Sequence, residues 1–173
     1  MTLEGRTVGI LVEDLYQEME VWYPLYRLRE EGARVLVIGT GRTAPYASKL
    51  GYPCAQDVSA SEVDAASLHG IVVPGGYAPD ILRRHEAVNG LVRSVDERGG
   101  VVAAICHAAW VLVSAGILRG RRVTCFSAIR DDVVNAGAEY VDAEVVVDRN
   151  LVTSRKPDDL PAFCREMIAL LRA

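Results

Sequence analysis

The residues best suited to do chemistry lie together in the dipeptide Cys106-His107. An unbroken apolar run, Val101–Ile105, leads into the cysteine, and apolar residues at helical spacing follow it up to Gly116. This pattern predicts a buried strand, a sharp turn and a helix. A thiol at a helix N-terminus can have its pKa lowered from about 8.5 to about 3.5–7.5, which yields a reactive thiolate. The alternative is a packed core cysteine, because free Cys is among the most buried residue types.

Two other segments contain groups that a reactive thiol would need. A predicted strand at residues 70–73 ends in Pro74-Gly75-Gly76. Glycines there let backbone N–H groups approach a ligand closely, as an oxyanion hole requires, although an ordinary tight turn has the same composition. Glu20 falls in the first turn of a helix predicted to begin between residues 18 and 21. That segment alone favours a solvated carboxylate that stabilises the helix N-terminus.

The elements that must position these groups follow an α/β pattern. Apolar runs without alternation at residues 7–12, 35–38, 70–73 and 101–105 are typical of strands covered on both faces in a parallel sheet. Ligands of such sheets bind beyond the carboxyl ends of the strands. Helices are predicted after the runs at 7–12, 70–73 and 101–105, including residues 85–98. The sequence therefore indicates one α/β domain over residues 1–173.

Shorter segments give more local predictions. The stretch up to Asp57 indicates a short hairpin, and Ser59-Ala60-Ser61-Glu62 has the spacing of a capping box that opens a short helix. Further expectations are a strand at 123–126, a helix at 129–135 and a strand pair at 144–147 and 151–154. The terminal helix is predicted to begin near Asp159 as its N-cap, with Phe163, Met167, Leu170 and Leu171 on one face.

Composition limits the possible functions. Half of the 173 residues are hydrophobic, 24% are charged and the formal charge is −4, which argues against disorder and against a nucleic-acid partner. No apolar run of membrane-spanning length and no secretory signal pattern occurs, so we expect a cytoplasmic protein without membrane contact. The four cysteines form no Cys-x-x-Cys pair, so neither a metal site nor a disulfide framework is expected.

These motifs together resemble the ThiJ/PfpI superfamily, which includes intracellular cysteine peptidases, protein deglycases and cofactor-independent glyoxalases. Ala104-Ile105-Cys106-His107 resembles the nucleophile elbow of the family, and Val73-Pro74-Gly75-Gly76 resembles its oxyanion-side loop. Glu18-Met19-Glu20 with Pro24 resembles its acidic first-helix motif. The resemblance covers nearly the whole chain. It implies a flavodoxin-like, class I glutamine amidotransferase-like fold, with a doubly wound, mainly parallel sheet and no cofactor.

The resemblance also implies roles for individual residues. Cys106 is the expected nucleophile, Glu20 the carboxyl group that contacts it and His107 its base, while Gly75, Gly76 and His107 offer backbone N–H groups to an oxyanion. Neighbouring helix residues do not share a face, so contact between Cys106 and His107 needs a distorted elbow. In PfpI-like relatives a carboxylate from an adjacent subunit orients this histidine, and the matching position is Asp80. A homodimer or hexamer with a shared site is therefore implied.

Asp80 departs from the family pattern, because relatives carry the longer Glu at this position. Two other residues allow two interpretations each. Cys125 is either a resolving thiol or a packing residue, and Arg155 is either an ion-pair partner or a substrate-binding cation.

Three functions fit this set of residues. In the first, Cys106 attacks a small dicarbonyl or its protein adduct, as a glyoxalase or deglycase. In the second, it attacks an amide as a peptidase. In the third, the thiolate is a redox or stress sensor whose sulfinate is stabilised by protonated Glu20. We take the first as the prediction and the peptidase as the next alternative.

Overall fold

Four apolar runs of the sequence form neighbouring parallel strands in the middle of one sheet. A computed structural model describes residues 2–173. The strands are β1 Thr7–Leu11, β2 Arg34–Gly39, β3 Tyr46–Ala47, β4 Pro53–Cys54, β5 Val58–Ser59, β6 Gly70–Val73, β7 Val101–Ile105, β8 Arg122–Val123, β9 Glu139–Tyr140, β10 Val145–Asp148 and β11 Leu151–Ser154. The helices are α1 Glu18–Glu30, α2 Ala78–Leu82, α3 Glu86–Glu97, α4 Ala109–Ala115, α5 Arg130–Asn135 and α6 Leu160–Arg172.

The main sheet has seven strands in the order β10-β11-β7-β6-β1-β2-β5. All of its pairs are parallel except β10 with β11, which form the antiparallel hairpin that the sequence predicts. Because β1, β6 and β7 are adjacent and parallel, their carboxyl ends meet at one edge. The segments that follow them contain Glu20, Gly75 and Cys106. This mainly parallel, flavodoxin-like sheet confirms the predicted fold class.

Helices cover the sheet in two groups. α1 and α6 pack against each other and against β1, β2, β7 and β11, while α3 packs against β6 and β7 and contacts α4. All five residues of β7 are buried, as expected for a strand covered on both faces. Phe163, Met167 and Leu171 of α6 are buried in the core as predicted, and Leu170 is half-buried. Within residues 2–173, no helix is long and apolar enough to cross a membrane.

Two local predictions are wrong. The Ser59–Glu62 segment opens no helix, although the Glu62 side chain does accept from the Ser59 N–H (3.3 Å). A three-residue 3-10 turn, Ala65–Ser67, forms instead, with Asp64 as its N-cap. The strand predicted at 123–126 ends at Val123. Beyond it, the Thr124 N–H donates to Thr153 Oγ1 (2.9 Å) and the Phe126 N–H to the carbonyl of Cys106 (3.1 Å), so these groups are not available to a ladder.

The predicted starts of α1 and α6 are both observed, but only one of them has a side-chain cap. α1 begins at Glu18, inside the predicted window, and the Gln17 side chain caps it by accepting from the Met19 N–H (2.7 Å). Asp159 precedes α6, but its carboxylate does not cap the helix. It accepts instead from the backbone N–H of Arg155 (3.1 Å) and from its Nε (3.0 Å). Asp159 is therefore the N-cap residue of α6 by position, as predicted, but an ion pair occupies the oxygens that would cap the helix.

Candidate active site

Cys106 lies at a strained turn directly after β7. Its φ is +65°, in the left-handed region that non-glycine residues rarely adopt. A 3-10 turn, Cys106–Ala108, separates β7 from α4. This is the distorted elbow that contact between Cys106 and His107 requires, and Sγ of Cys106 lies 3.3 Å from Nδ1 of His107. The side chain of Cys106 is 8% exposed, so a reagent can reach it only through a narrow opening.

Glu20 reaches Cys106 from the first turn of α1 and is completely buried. The N–H of Gly75 donates to its Oε2 (2.7 Å), while Oε1 has no hydrogen-bond partner among the described residues. A carboxyl group in this position is strongly disfavoured as an anion because it has lost its water. The solvated carboxylate that the α1 segment alone favours is therefore not observed.

Gly75 has a different role from the one predicted. Its N–H is occupied by Glu20 and is not available to an oxyanion. A Cβ at this position would lie 2.6 Å from Oε2 of Glu20 and 2.7 Å from Cβ of Cys106. Glycine is thus required so that Glu20 and Cys106 can approach each other. The backbone N–H groups of Gly76 and His107 point to the sulfur of Cys106, and both act to lower its pKa. These two groups remain as candidate oxyanion donors.

The pKa of Glu20 is raised to about 8, chiefly by burial, against the opposing effects of the Gly75 N–H and the Cys106 side chain. Glu20 is therefore protonated at neutral pH. Burial is also the largest influence on the Cys106 thiol and raises its pKa, followed by the negative charge of Glu20, which acts only when Glu20 is ionised. The low thiol pKa expected from a helix N-terminus is not supported, because a 3-10 turn separates Cys106 from α4 and the thiol is desolvated.

His107 is positioned by two aromatic rings. Its ring stacks on Phe126 (centroids 4.8 Å apart) and meets the edge of Trp110 (5.2 Å). The indole N–H of Trp110 in turn donates to Asp132 (2.8 Å). Burial, with a smaller contribution from the charge of Lys49, lowers the pKa of His107. The imidazole is consequently neutral at neutral pH and able to accept the proton of the thiol.

Asp80 does not join these residues within one subunit. It lies on α2 and forms an ion pair with Arg84 one turn along the chain. Between residues 2 and 173 no hydrogen bond or ion pair connects Asp80 with His107. The role of Asp80 across a subunit interface stays a prediction.

A cavity of about 510 Å³ opens over the thiol. Its lining comprises Gln17, Glu20, Lys49, Gly76, Tyr77, Cys106, His107, Trp110, Phe126 and Pro157. The sequence analysis missed Gln17 and Lys49. The position of Gln17 before α1 is a signal that could have identified it, whereas Lys49 belongs to a turn with no motif. No cluster of three or more His, Cys, Asp or Glu side chains suited to a metal ion occurs in the described part of the chain.

The two residues with open interpretations are structural. Arg155 pairs with Asp142 (2.8 Å) and Asp159 (3.0 Å), so its charge is already neutralised. Cys125 is buried, and burial raises the pKa of its thiol to about 12, which suits a packing residue better than a resolving thiol.

Comparison with known proteins places this chain in one family. The chain matches the DJ-1/PfpI family model over residues 6–170 and belongs to that family. It is 46% identical to Deglycase TK1284 of Thermococcus kodakarensis, over 95% of this chain and 99% of that protein. It is 39% identical to Protein/nucleic acid deglycase 2 of Escherichia coli, over 98% and 99%.

A solved structure agrees with this assignment. The fold superposes with a TM-score of 0.94 on a two-domain protein of Anabaena variabilis containing DJ-1/ThiJ/PfpI-like and ferritin-like domains, at 38% identity. That alignment covers 96% of this chain and 48% of the Anabaena protein, so this chain spans about half of its length. Proteins of the family commonly form oligomers.

Proposed function

We propose that this protein is a cysteine-dependent hydrolase of glyoxalase or deglycase type that acts on reactive dicarbonyls or their protein adducts. The observation that carries the proposal is the pairing of Cys106 with a buried, protonated Glu20 and a neutral His107 inside a small cavity. This set provides a nucleophile and two proton carriers without a cofactor. Relatives named as deglycases support the same class of reaction.

The first step is addition of the Cys106 sulfur to the aldehyde carbon. An S–C bond forms, the C=O π bond breaks, and the thiol proton reaches the oxygen through His107, giving a hemithioacetal. The N–H groups of Gly76 and His107 are placed to stabilise the negative charge on that oxygen.

The second step moves hydrogen between the two carbonyl carbons. A proton leaves the carbon bonded to sulfur and another is delivered to the adjacent carbon, so the first carbon is oxidised and the second reduced. Glu20 and His107 flank the sulfur and are the groups able to carry these protons. The resulting thioester is hydrolysed by water, which releases a hydroxy acid and restores the thiol.

Cavity size favours this reaction over peptide hydrolysis. About 510 Å³ accommodates a small carbonyl compound, and a thiol that is only 8% exposed favours a small substrate over an extended peptide. Four free cysteines suit a reducing compartment, which supports a cytoplasmic location.

We further propose that the protein is a homo-oligomer in which Asp80 of one subunit orients His107 of another. The support is that His107 is without a carboxylate partner in its own subunit as far as the structure describes it, and an unoriented imidazole is a poor base. After dissociation and reassembly, mixed Cys106→Ala and Asp80→Asn subunits should recover part of the activity that each variant lacks. If oligomers re-form but no activity is recovered, the shared site is contradicted.

The deciding experiment compares wild type with Cys106→Ala on methylglyoxal and on a casein-type peptide. We expect wild type to convert methylglyoxal to lactate and the variant to lose at least about 10³-fold in rate, because the nucleophile is gone. Cleavage of the peptide without lactate formation would replace the proposal with the peptidase. Failure to turn over either substrate, with sulfinate formation under peroxide, would favour the redox sensor.

A further inference from the structure

The cavity over Cys106 contains a single charged side chain at neutral pH. Glu20 is protonated and His107 is neutral, so among the ten lining residues described by the structure only Lys49 has a charge. Its amino group makes no ion pair within 4 Å of any carboxylate among residues 2–173. Lys49 is exposed to solvent at the cavity wall, and its charge acts on Glu20 and on His107, so its positive field reaches the reacting centre.

The backbone holds Lys49 firmly in this position. Its N–H donates to the carbonyl of Tyr16 (3.0 Å), and both chain neighbours are fixed by Glu18. Oε1 of Glu18 accepts from the Ser48 hydroxyl and from the Leu50 N–H (2.8 Å). The Glu18 carboxylate lies near enough for the charge of Lys49 to act on it, but its hydrogen bonds go to the backbone and a hydroxyl group and not to Lys49. The charge of Lys49 remains available to a ligand.

Much of the rest of the cavity wall is aromatic, and its other polar side chains are uncharged. Tyr77, Trp110 and Phe126 form much of it, and other cations near the elbow are already engaged. Arg83 donates to Ser114 (2.9 Å) and lies over the Trp110 ring, and Arg155 pairs with Asp142 and Asp159. Within the described chain, Lys49 is thus the cation best placed to select a substrate by charge.

We propose that Lys49 makes the cavity selective for carbonyl compounds that bear a carboxylate over neutral ones of equal size, an inference that rests on Cys106 being the nucleophile of the proposed function. Lys49 acts as a specificity determinant, since the bond-forming steps do not require it. Adduct formation with such a compound, for example glyoxylate, is the same addition as above. Sulfur bonds to the aldehyde carbon, the oxygen takes the thiol proton, and nothing is oxidised.

Two nearly isosteric alkylating reagents test the charge selectivity directly. Iodoacetate is an anion and iodoacetamide is neutral, and both react with the same thiolate, so the ratio of their rates at Cys106 cancels the thiol pKa. We expect Lys49→Met to lower the iodoacetate to iodoacetamide ratio by roughly fivefold, the factor for one charge pair about 4 Å apart in water. Lys49→Arg should keep the ratio. Arg98→Met, which removes an exposed charge far from the cavity, should leave it unchanged.

Salt and glyoxylate provide the second measurement. Raising the ionic strength should lower the ratio in wild type and leave it constant in Lys49→Met. Glyoxylate should protect Cys106 from iodoacetamide at a several-fold lower concentration in wild type than in Lys49→Met. Equal ratios and equal protection in the two proteins would overturn the proposal for Lys49, even if methylglyoxal is turned over. Absence of turnover with the charge selectivity intact would refute the proposed reaction and keep Lys49 as an anion-selective group.

Discussion

Strand β7 has a buried polar cluster near each end, and the two clusters are built in opposite ways. Beside its amino end, Arg121 is 5% exposed and donates to the carbonyl of Asp148 (2.7 Å) and to the Asn150 side chain (3.0 Å). It also pairs with Asp96 (3.3 Å). Beyond its carboxyl end, Glu20 has one hydrogen bond, from Gly75, and no cation within 4 Å in the described chain.

The difference separates a group that holds the fold from a group that can move a proton. Two carboxylates, a carbonyl and the Asn150 side chain replace most of the water that Arg121 has lost, although its Nε has no hydrogen bond among the described residues. Glu20 has too few hydrogen bonds in place of its lost water to stay ionised at neutral pH. Its charge state therefore depends on pH in the physiological range. Incomplete pairing at the carboxyl end of the sheet is thus the feature that suits Glu20 to proton transfer beside Cys106.

Removing Arg121, the group with the larger number of partners, should cause the largest loss of stability. Arg121→Met leaves Oδ1 of Asn150 without a donor and removes the cation that pairs with Asp96 and Asp148, so we expect a loss of about 3 kcal/mol in the free energy of unfolding. Urea unfolding at neutral pH measures it. The control is Arg122→Met, since Arg122 is exposed and its ion pair with Glu139 is 3.7 Å long. That variant should change stability by less than about 0.5 kcal/mol. If Arg121→Met and Arg122→Met lose equal stability, the pairing of Arg121 does not distinguish its cluster from that of Glu20.

Adding a methyl group between Glu20 and Cys106 should cause the next largest loss of stability. A methyl group in Gly75→Ala would meet Glu20, Cys106 and the carbonyl of Ile105 (3.0 Å), and overpacking of this kind costs about 2 kcal/mol. The control is Gly90→Ala in α3, where an added Cβ meets nothing within 4 Å. That variant should gain about 0.5–1 kcal/mol, because alanine favours the helix. Loss of stability in both variants would show that the contact at Gly75 is not specific.

Glu20→Gln should have little effect on stability at pH 5 and an increasing effect as the pH rises. Since burial raises the folded-state pKa of Glu20 from 4.5 to about 8, the folded protein keeps a proton that the unfolded chain has released between these values. Wild-type stability must therefore fall as pH rises through this window, by linkage. Glutamine cannot ionise, so the variant should gain roughly 3–4 kcal/mol relative to wild type from pH 5 to pH 8, at about 1.4 kcal/mol per pH unit. Parallel stability curves in urea unfolding would contradict the raised pKa.

The sequence was sufficient to predict the frame of the site. The runs that became β1, β6 and β7 are apolar without alternation, and parallel strands bring their carboxyl ends together whatever the loops contain. The elbow at Cys106 and the approach of Glu20 were expected from motifs. Both follow from chain segments that lie directly after these strands.

What could not be predicted depends on contacts between distant segments. The thiol pKa was expected to fall from a local argument about a helix N-terminus, but burial by Glu20 and its neighbours raises it. The Gly75 N–H was assigned to an oxyanion because the position of the Glu20 carboxyl was unknown. Lys49 reaches the cavity only because its turn pairs with Tyr16, and nothing in its own sequence indicates that pairing.

The central claim is that Glu20 is a protonated carboxyl group beside Cys106 that titrates near pH 8, and the pH dependence of Cys106 alkylation tests it most directly. In wild type, the rate with iodoacetamide should rise with pH up to about 8 and then level off, since beyond the pKa of Glu20 the two singly protonated forms interconvert without net release of a proton. In Glu20→Gln the rate should follow the same rise and continue to increase above pH 8. Profiles of the two proteins that superimpose up to pH 9.5 would contradict the account.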